Sequence, residues 1–284
     1  MLTFSEFILR GVLAGSIYVL LAVPMSLLFS TVRTIDFAVG AYALVAAAVA
    51  ASVGGVLGIA AGLGAAVAGS AAMALIFLLL KRFGCHNHII YALASFGVAT
   101  ALASAVLWQY GTQSFVRDSF SQFWSLAGIR ISPQGVLNLV TALVAVTILY
   151  VVIQRSQLGR MMRAAAVNVM GSELAGIPVE LIQVGTYLVG GLLGGIAGLL
   201  ILFTAGLDYS APLSLTLSGF AAAIVFGIDN PFRALFGGLA MGVAEALAAG
   251  YTSGMVTSMV PFLFLLIVLG TSRFGDATVA GDRT

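Results

Sequence analysis

The chain has 284 residues, of which 61% are hydrophobic and 8% are charged, and its formal net charge is +2. Soluble domains carry about 25% charged residues, so this composition excludes a soluble fold with a hydrated surface. The few charges are scattered and form no basic stripe of the kind that binds nucleic acid. A single cysteine, Cys85, excludes an internal disulfide.

Long stretches of the chain carry no charged residue at all: 37–80, 83–116 and 131–154. A spanning helix needs about 20 apolar residues, so each of the first two stretches can hold more than one crossing, or a crossing and a broken helix. Only helices satisfy every backbone group over such runs, because a barrel would give short alternating segments. The predicted fold is therefore all-α, a polytopic transmembrane bundle of about eight or nine helices, with broken or re-entrant helices among them.

In chain order, the predicted helical segments are 6–29, 36–53, 56–80, 88–108, 134–153, 183–205, 213–228, 232–250 and 255–271. They form one transmembrane domain over residues 1–272, which contains a polar segment at 154–182, followed by a short cytosolic tail at 273–284. The first five residues lack a cationic stretch, so the first apolar segment is expected to remain as a membrane helix.

The positions of Lys and Arg predict the topology. With 154–182 in the cytosol and all segments crossing, nine basic residues lie inside and three outside, as the positive-inside rule expects. The inside set is Arg33, Lys81, Arg82, Arg155, Arg160, Arg163, Arg233, Arg273 and Arg283; the outside set is Arg10, Arg117 and Arg130. The N-terminus is then outside, whereas a re-entrant segment among the first three would reverse it.

Glycine is the second compositional signal, with 34 residues, or about 12% of the chain, against an average of about 7%. Many glycines recur at a spacing of four, which lets helix backbones approach closely in lipid. The groups are Gly11 and Gly15; Gly54, Gly58 and Gly62; Gly190, Gly194 and Gly198; Gly191 and Gly195; Gly238 and Gly242. The pairs at 11 and 15 and at 191 and 195 open long apolar helices about 180 residues apart, a short internal echo of the kind found in transporters.

The polar segment 154–182 is too polar to span and too apolar for a flexible linker. Small residues fall at helical spacing within it, and Gly176 and Pro178 end the pattern, which predicts short cytosolic helices. Such a surface suits docking into a groove on a soluble partner. The alternative is an amphipathic helix lying on the lipid headgroups.

Four motifs, in order along nearly the whole chain, resemble one family. The run from Leu158 through Gly159, Arg160 and Arg163 to Leu174-Ala-Gly-Ile resembles the cytosolic coupling loop of permeases in branched-chain amino-acid ABC transporters, the LIV family. The other three motifs are Gly15-Ser-Ile-Tyr-Val-Leu-Leu-Ala, Ile35-Asp-Phe-Ala-Val-Gly-Ala-Tyr, and Phe220-Ala-Ala-Ala-Ile with Phe236-Gly-Gly-Leu-Ala-Met-Gly-Val-Ala-Glu-Ala-Leu. The chain length resembles the shorter of the two permeases of such systems.

The resemblance implies a multi-pass protein of the bacterial inner membrane that works with a second homologous permease, two cytosolic ATPases and an external solute-binding protein. It implies that segment 159–177 couples the permease to the ATPases, with Gly159, Arg160, Arg163, Asn168, Glu173 and Gly176 as the coupling residues. No GxxxxGK[ST] sequence occurs, so ATP and Mg²⁺ are expected on the partner chains and no cofactor on this one.

The chain departs from the family at the signature I-N-F-A-H-G, where it has Asp36 and Val39. Asp36 either caps a helix at the headgroup level or lies near the solute, where it would disfavour a carboxylate. Urea, amides and other small polar solutes are therefore alternatives to branched-chain amino acids as the transported solute. The candidate pathway residues are Ser16, Tyr18, Asp36, Phe37, Gly40, Tyr42 and Glu245.

Glu245 lies within an otherwise apolar segment, where a carboxyl group is costly and usually faces the bundle interior or water. It is either an internal hydrogen-bond partner or a pathway residue. His86 and His88 have no third ligand nearby, so no metal site is predicted. No catalytic constellation occurs, so no enzymatic activity is expected. The alternative function is a secondary transporter or channel that works without an ATPase and does not need segment 154–182 as a docking surface.

Overall fold

The computed structural model describes residues 2–85, 87–117, 124–126, 129–252 and 254–280. His86 and residues 281–284 of the predicted tail lie outside these ranges. The described ranges contain eleven helices, namely α1 (Leu2–Val32), α2 (Val39–Val53), α3 (Gly55–Arg82), α4 (His88–Tyr110), α5 (Pro133–Arg155), α6 (Gln157–Val167), α7 (Val169–Leu174), α8 (Val179–Leu202), α9 (Ala211–Val225), α10 (Pro231–Tyr251) and α11 (Gly254–Ala280).

This architecture confirms the predicted helical membrane bundle. Nine of the helices overlap the nine predicted segments, although their ends differ by several residues and α11 continues to Ala280, into the predicted tail. The polar segment contains the short helices α6 and α7, as expected. Within the described ranges, six helices are long and apolar enough to cross a membrane, while α2 and α9 are shorter apolar helices. The sequence did not predict the two-stranded antiparallel hairpin before α5, β1 (Trp124–Leu126) and β2 (Ile129–Ile131), in which Ser125 faces Arg130.

The helices pack as two related halves, α1–α4 and α8–α11. Equivalent helices of the two halves make equivalent contacts. α1 of the first half packs on α10 of the second, α8 of the second half packs on α3 of the first, and α2 and α9 contact each other. α1 and α8 run in opposite directions, because Thr31, near the end of α1, contacts Thr186, near the start of α8. The arrangement is an inverted repeat, an organisation common among transporters.

Small residues bring α1 and α10 together. Gly11 and Gly15 of α1 lie against Gly242 and Gly238 of α10, and a Cβ on Gly11 would lie 2.9 Å from the Gly242 carbonyl oxygen. Backbones can approach this closely only where side chains are absent, as in small-xxx-small packing in lipid.

The equivalent contact joins α8 of the second half to α3 of the first. Gly191 and Gly195 of α8 lie against Ser70 and Ala66 of α3, and a Cβ on Gly195 would lie 2.8 Å from the Ala66 Cβ. The short sequence echo between residues 11–15 and 191–195 therefore corresponds to two equivalent helix contacts.

Basic residues of the predicted inside set cluster at one end of the bundle. Arg33, just after α1, pairs with Asp229 in the turn before α10, with 2.8 Å between Nη1 and Oδ1. Lys81, near the end of α3, pairs with Glu180 at the start of α8, with 3.2 Å between Nζ and Oε1. At the other end of the bundle the Arg117 guanidinium donates to the Ala51 carbonyl near the C-terminus of α2. A cation at this end of a helix interacts favourably with the helix dipole.

Candidate functional site

The polar segment folds as two capped helices joined by tight turns. Ser156 accepts a hydrogen bond from the Gly159 backbone N–H (3.0 Å) at the start of α6, and Asn168 accepts one from the Gly171 N–H (2.9 Å) at the start of α7. Gly176 follows α7 with φ of +78°, a left-handed conformation that favours glycine. The segment is therefore an ordered structure at the basic end of the bundle.

Large apolar side chains project from this segment. Leu158, Val167, Met170 and Leu174 are 62, 88, 74 and 85% exposed. On its other face α6 buries Ala165, which packs with Val179 and Ile182 at the start of α8. The segment thus has one face fixed to the bundle and another that presents apolar surface, as protein interaction sites do.

The predicted coupling residues divide between internal contacts and exposure. Gly159 is buried, and a Cβ there would overlap the Ile153 carbonyl at the end of α5. Arg163 donates to that same carbonyl and, at 3.5 Å, to the Gln154 side chain. Arg160 is exposed. Gly159 and Arg163 thus shape the bend between α5 and α6, while Arg160 lies at the surface.

The second group lies on and after α7. Asn168 is the N-cap of α7 and Gly176 forms the turn after it. Glu173 lies 3.8 Å from the Lys81 ammonium, which places a partner for its carboxylate within this chain. The coupling role of the six residues stays a prediction, and the structure assigns four of them (Gly159, Arg163, Asn168 and Gly176) to the shape of the segment.

The two shorter apolar helices, α2 and α9, meet at their N-terminal ends. Each has 15 residues, about 22 Å, less than the roughly 30 Å hydrocarbon core. The Gly40 N–H donates to the Thr216 hydroxyl (3.0 Å), and that hydroxyl donates to the Phe37 carbonyl (3.1 Å). A Cβ on Gly40 would overlap the Pro212 carbonyl. Two short helices therefore meet end to end where the two halves of the bundle contact each other, a kind of position at which many transporters bind their solutes.

Asp36 is directed into the bundle. It is 2% exposed, accepts from the Ala38 N–H at 2.8 Å, and accepts from the Tyr42 hydroxyl at 3.2 Å. The helix after it begins at Val39, later than the predicted start at residue 36, and Asp36 binds the chain just before that helix. Tyr42 is fully buried on α2.

Phe37 borders a cavity of about 110 Å³ between α4 and the start of α9. Its ring contacts Phe96 and Phe220, with centroids 6.5 and 6.4 Å away. Its backbone N–H donates to the Ser95 hydroxyl at 2.9 Å. The cavity is lined by Phe37, Phe96, Ala99, Thr100, Ala103, Tyr209, Ser210, Pro212 and Leu213, a mostly apolar set without Asp36.

The remaining pathway candidates lie where α1 packs on α10. The Tyr18 hydroxyl donates to a carboxylate oxygen of Glu245, 227 positions along the chain. Ser16 is fully buried and donates to the Leu13 carbonyl at 2.6 Å, within its own helix. Glu245 is therefore an internal hydrogen-bond partner of Tyr18, one of its two predicted roles. Whether any of these residues contacts solute stays a prediction.

The sequence analysis missed Ser95 and Thr216, whose hydroxyls bind the start of α2 from neighbouring helices. It also missed a buried network at the opposite end from the basic residues, in which Gln134 donates to Asn138 and Asn138 to Thr204, both at 2.9 Å. Isolated polar residues in apolar helices are the signal that could have found both groups, because such residues seek partners within the bundle.

An inverted repeat of membrane helices, with two short helices meeting inside it and an ordered segment at the basic end, defines a multi-pass membrane protein of the transporter class. The chain belongs to the family described as "Branched-chain amino acid transport system / permease component", which matches residues 7–269. Membership confirms the resemblance found in the sequence motifs.

Three relatives extend over nearly the full length. The high-affinity branched-chain amino acid transport system permease protein LivH of Salmonella typhimurium is 27% identical over 94% of this chain and 93% of its own. BraD of Pseudomonas aeruginosa, of the same description, is 25% identical over 92% of each chain. A probable branched-chain amino acid transport permease protein LivH of Methanocaldococcus jannaschii is 26% identical over 98% of this chain and 93% of its own. No solved structure matches the chain.

Proposed function

We propose that this chain is a permease subunit of an ATP-driven ABC importer for branched-chain amino acids in a bacterial inner membrane. Segment 159–177 couples it to cytosolic ATPases. Family membership and the printed functions of the relatives support the transport class. The proposed assembly contains this chain, a second homologous permease, two ATPase subunits and an external solute-binding protein. ATP and Mg²⁺ bind to the ATPase subunits, and this chain transports without catalysing a reaction.

The observation that carries the coupling proposal is the apolar surface of α6 and α7. Met170 and Leu174 are largely exposed although they flank polar residues and sit on helices anchored to the bundle. A groove on a soluble partner would bury these side chains, at roughly 25 cal/mol per Å² of apolar surface removed from water. Exposed charge pairs contribute only about 0–1 kcal/mol each, so shape and apolar burial dominate the docking.

The cavity beside Phe37 supports an aliphatic solute. Its lining is mostly apolar, and its volume of about 110 Å³ suits a side chain rather than a whole solute, since pockets for complete drug-sized ligands span about 300–1,000 Å³. Asp36 is absent from the lining and already accepts two hydrogen bonds. The departure from the family signature therefore does not argue against a substrate carboxylate, and we favour branched-chain amino acids over urea or amides.

Co-purification tests the coupling. The chain is expressed with its neighbouring ATPase and permease genes and captured through its C-terminus, as the parent protein and as Leu174→Glu. Phe83→Glu is the matched control, because Phe83 is 80% exposed at the same end of the bundle but outside the segment.

We expect the parent and the Phe83 variant to recover two ATPase chains and the second permease, and the Leu174 variant to lose the ATPases. Equal recovery with Leu174→Glu would refute docking through this surface. Recovery of the parent chain alone, stable and monodisperse, would instead favour a secondary transporter or channel.

A further inference from the structure

A cavity of about 370 Å³ lies at the basic end of the bundle, where α7 meets the ends of α1 and α3 and the starts of α4 and α8. The proposed function places this end in the cytosol. The cavity beside Phe37 is smaller, at about 110 Å³. Pockets that hold complete small-molecule ligands span about 300–1,000 Å³, so the larger cavity has room for a whole small solute.

The wall of this cavity contains a buried amide group with an unused acceptor. Gln183 of α8 lines the cavity and is 6% exposed. Its Oε1 atom has no hydrogen-bond partner among the residues that the structure describes. Buried polar atoms in native proteins are nearly always paired, and an unpaired one calls for a physical explanation. The oxygen therefore calls for a donor that this part of the chain does not supply.

Charged groups of both signs line the same cavity. The Glu173 carboxylate on α7 lies 3.8 Å from the Lys81 ammonium, which is too far for a hydrogen bond and leaves the carboxylate able to accept one from a ligand. Arg33, just after α1, uses one Nη atom to bind Asp229. An ammonium and a guanidinium each carry several N–H donors, so Lys81 and Arg33 retain donors for a ligand anion.

Apolar side chains complete the wall, namely Val32 at the end of α1, Phe77 on α3 and Val169 on α7. An inorganic anion would supply no donor for the Gln183 oxygen, and a simple cation would not use the basic groups. An α-amino acid with an aliphatic side chain matches all three kinds of surface. Its ammonium group donates, its carboxylate accepts, and its side chain is apolar.

We propose that this cavity is a second amino-acid site, which binds a free aliphatic α-amino acid from the cytosol. The ligand's ammonium group donates to Gln183 Oε1 and Glu173, and its carboxylate accepts from Lys81 and Arg33. The inference rests on the proposed function for the side of the membrane and for the solute class. A ligand that fills the cavity touches both α7 and the bundle, so it joins the docking segment to the helices behind it.

The test is equilibrium dialysis of labelled leucine against the purified full chain in detergent, without the solute-binding protein. Gln183→Leu replaces the unpaired amide with an apolar side chain, so thermal stability should not fall. Because a hydrogen bond to a charged group is lost, leucine should bind at least about tenfold more weakly. Glu180→Gln is the matched control and should bind like the parent, because it removes an ion pair of Lys81 but does not line the cavity.

Two leucine analogues test the ligand class independently of any variant. Leucinol lacks the carboxylate and isocaproate lacks the ammonium group. Each should compete with labelled leucine at least about tenfold less well than leucine itself, because one set of charged contacts is missing. Competition as strong as that of leucine by either analogue would overturn the assignment of a zwitterion.

Ala103→Leu separates this site from the cavity beside Phe37, which Ala103 lines. Leucine binding that survives Ala103→Leu and is lost with Gln183→Leu supports the inference, and the reverse pattern overturns it. A parent complex that takes up leucine with ATP, while the chain alone binds none, refutes the inference and leaves the proposed function intact. Binding through Gln183 without ATP-driven uptake would support the site and refute the proposed function.

Discussion

Gly159, in the first turn of α6, lies directly against the carbonyl group of Ile153 at the end of α5. A Cβ on Gly159 would overlap that oxygen, and the Arg163 guanidinium donates to the same carbonyl. One backbone group at the end of a membrane helix thus fixes where the polar segment turns. The angle at which α6 leaves the bundle depends on the absence of a side chain at residue 159.

Replacing Gly159 with Ala should displace α6 and weaken ATPase binding. The added methyl group cannot fit against the Ile153 carbonyl, and overpacking of this kind costs about 1–3 kcal/mol. Gly64→Ala is the control, because a Cβ on Gly64 meets nothing within 4 Å. ATPase recovery on co-purification is the measurement, and equal recovery with the two variants would show that the bend tolerates a side chain.

Gly198 allows a similar test of the close contact between α8 and α2. Gly198→Ala should separate α8 from α2 at the Ala43 carbonyl and lower the free energy of unfolding by about 1–3 kcal/mol. Gly185→Ala, on the same helix, meets open space and should leave stability unchanged or slightly improved. Thermal unfolding in detergent compares the two, and the prediction is wrong if both midpoints agree.

The pair formed by Tyr18 and Glu245 should appear as a coupling energy between α1 and α10. Tyr18→Phe leaves the carboxyl group without its donor, so we expect a loss of about 0.6–2 kcal/mol. The double variant Tyr18→Phe with Glu245→Leu should recover part of that loss, because both polar groups are gone. A double-mutant cycle in detergent measures the coupling, and strictly additive losses would mean that the two groups do not interact.

Lys81 forms two partly exposed ion pairs, one with Glu173 of α7 and one with Glu180 at the start of α8. Because such pairs contribute only about 0–1 kcal/mol, Lys81→Gln should change the unfolding midpoint little. Lys81→Gln should affect ATP-driven uptake more than it affects the unfolding midpoint, because the ion pairs join α7 and α8 to α3. The size of that effect should shrink as salt is raised from about 0.01 to 1 M, where the screening length falls from roughly 30 to 3 Å. An effect independent of salt would argue against an ionic link.

The sequence predicted the membrane helices well, since a helix in lipid is specified locally by apolar length and by charges and turns at its ends. Asn230 caps α10 and Pro231 is its first residue, one position before the predicted start at 232, and Gly176 ends the segment of α6 and α7 as predicted. The resemblance to the permease family was likewise carried by local motifs, and family membership confirmed it.

Pairings between distant helices could not be predicted in the same way. The sequence left open whether Glu245 has an internal partner, and nothing in it identifies Tyr18 as that partner, because the two meet only through the packing of α1 on α10. The position of Asp36 before a helix was compatible with either of its two predicted roles, and only the folded chain shows that its carboxyl group accepts from the Ala38 N–H and the Tyr42 hydroxyl. The hairpin of β1 and β2 is only three residues per strand, too short for a clear alternating pattern.

The central claim is that this chain transports an aliphatic amino acid at the expense of ATP hydrolysed on partner subunits. The most direct measurement is uptake of labelled leucine into liposomes that contain this chain with the second permease and both ATPases, with binding protein outside and ATP inside. We predict accumulation that requires ATP and binding protein and is lost with Leu174→Glu but not with Phe83→Glu. Uptake that proceeds equally without ATP, or that survives Leu174→Glu, would contradict the claim.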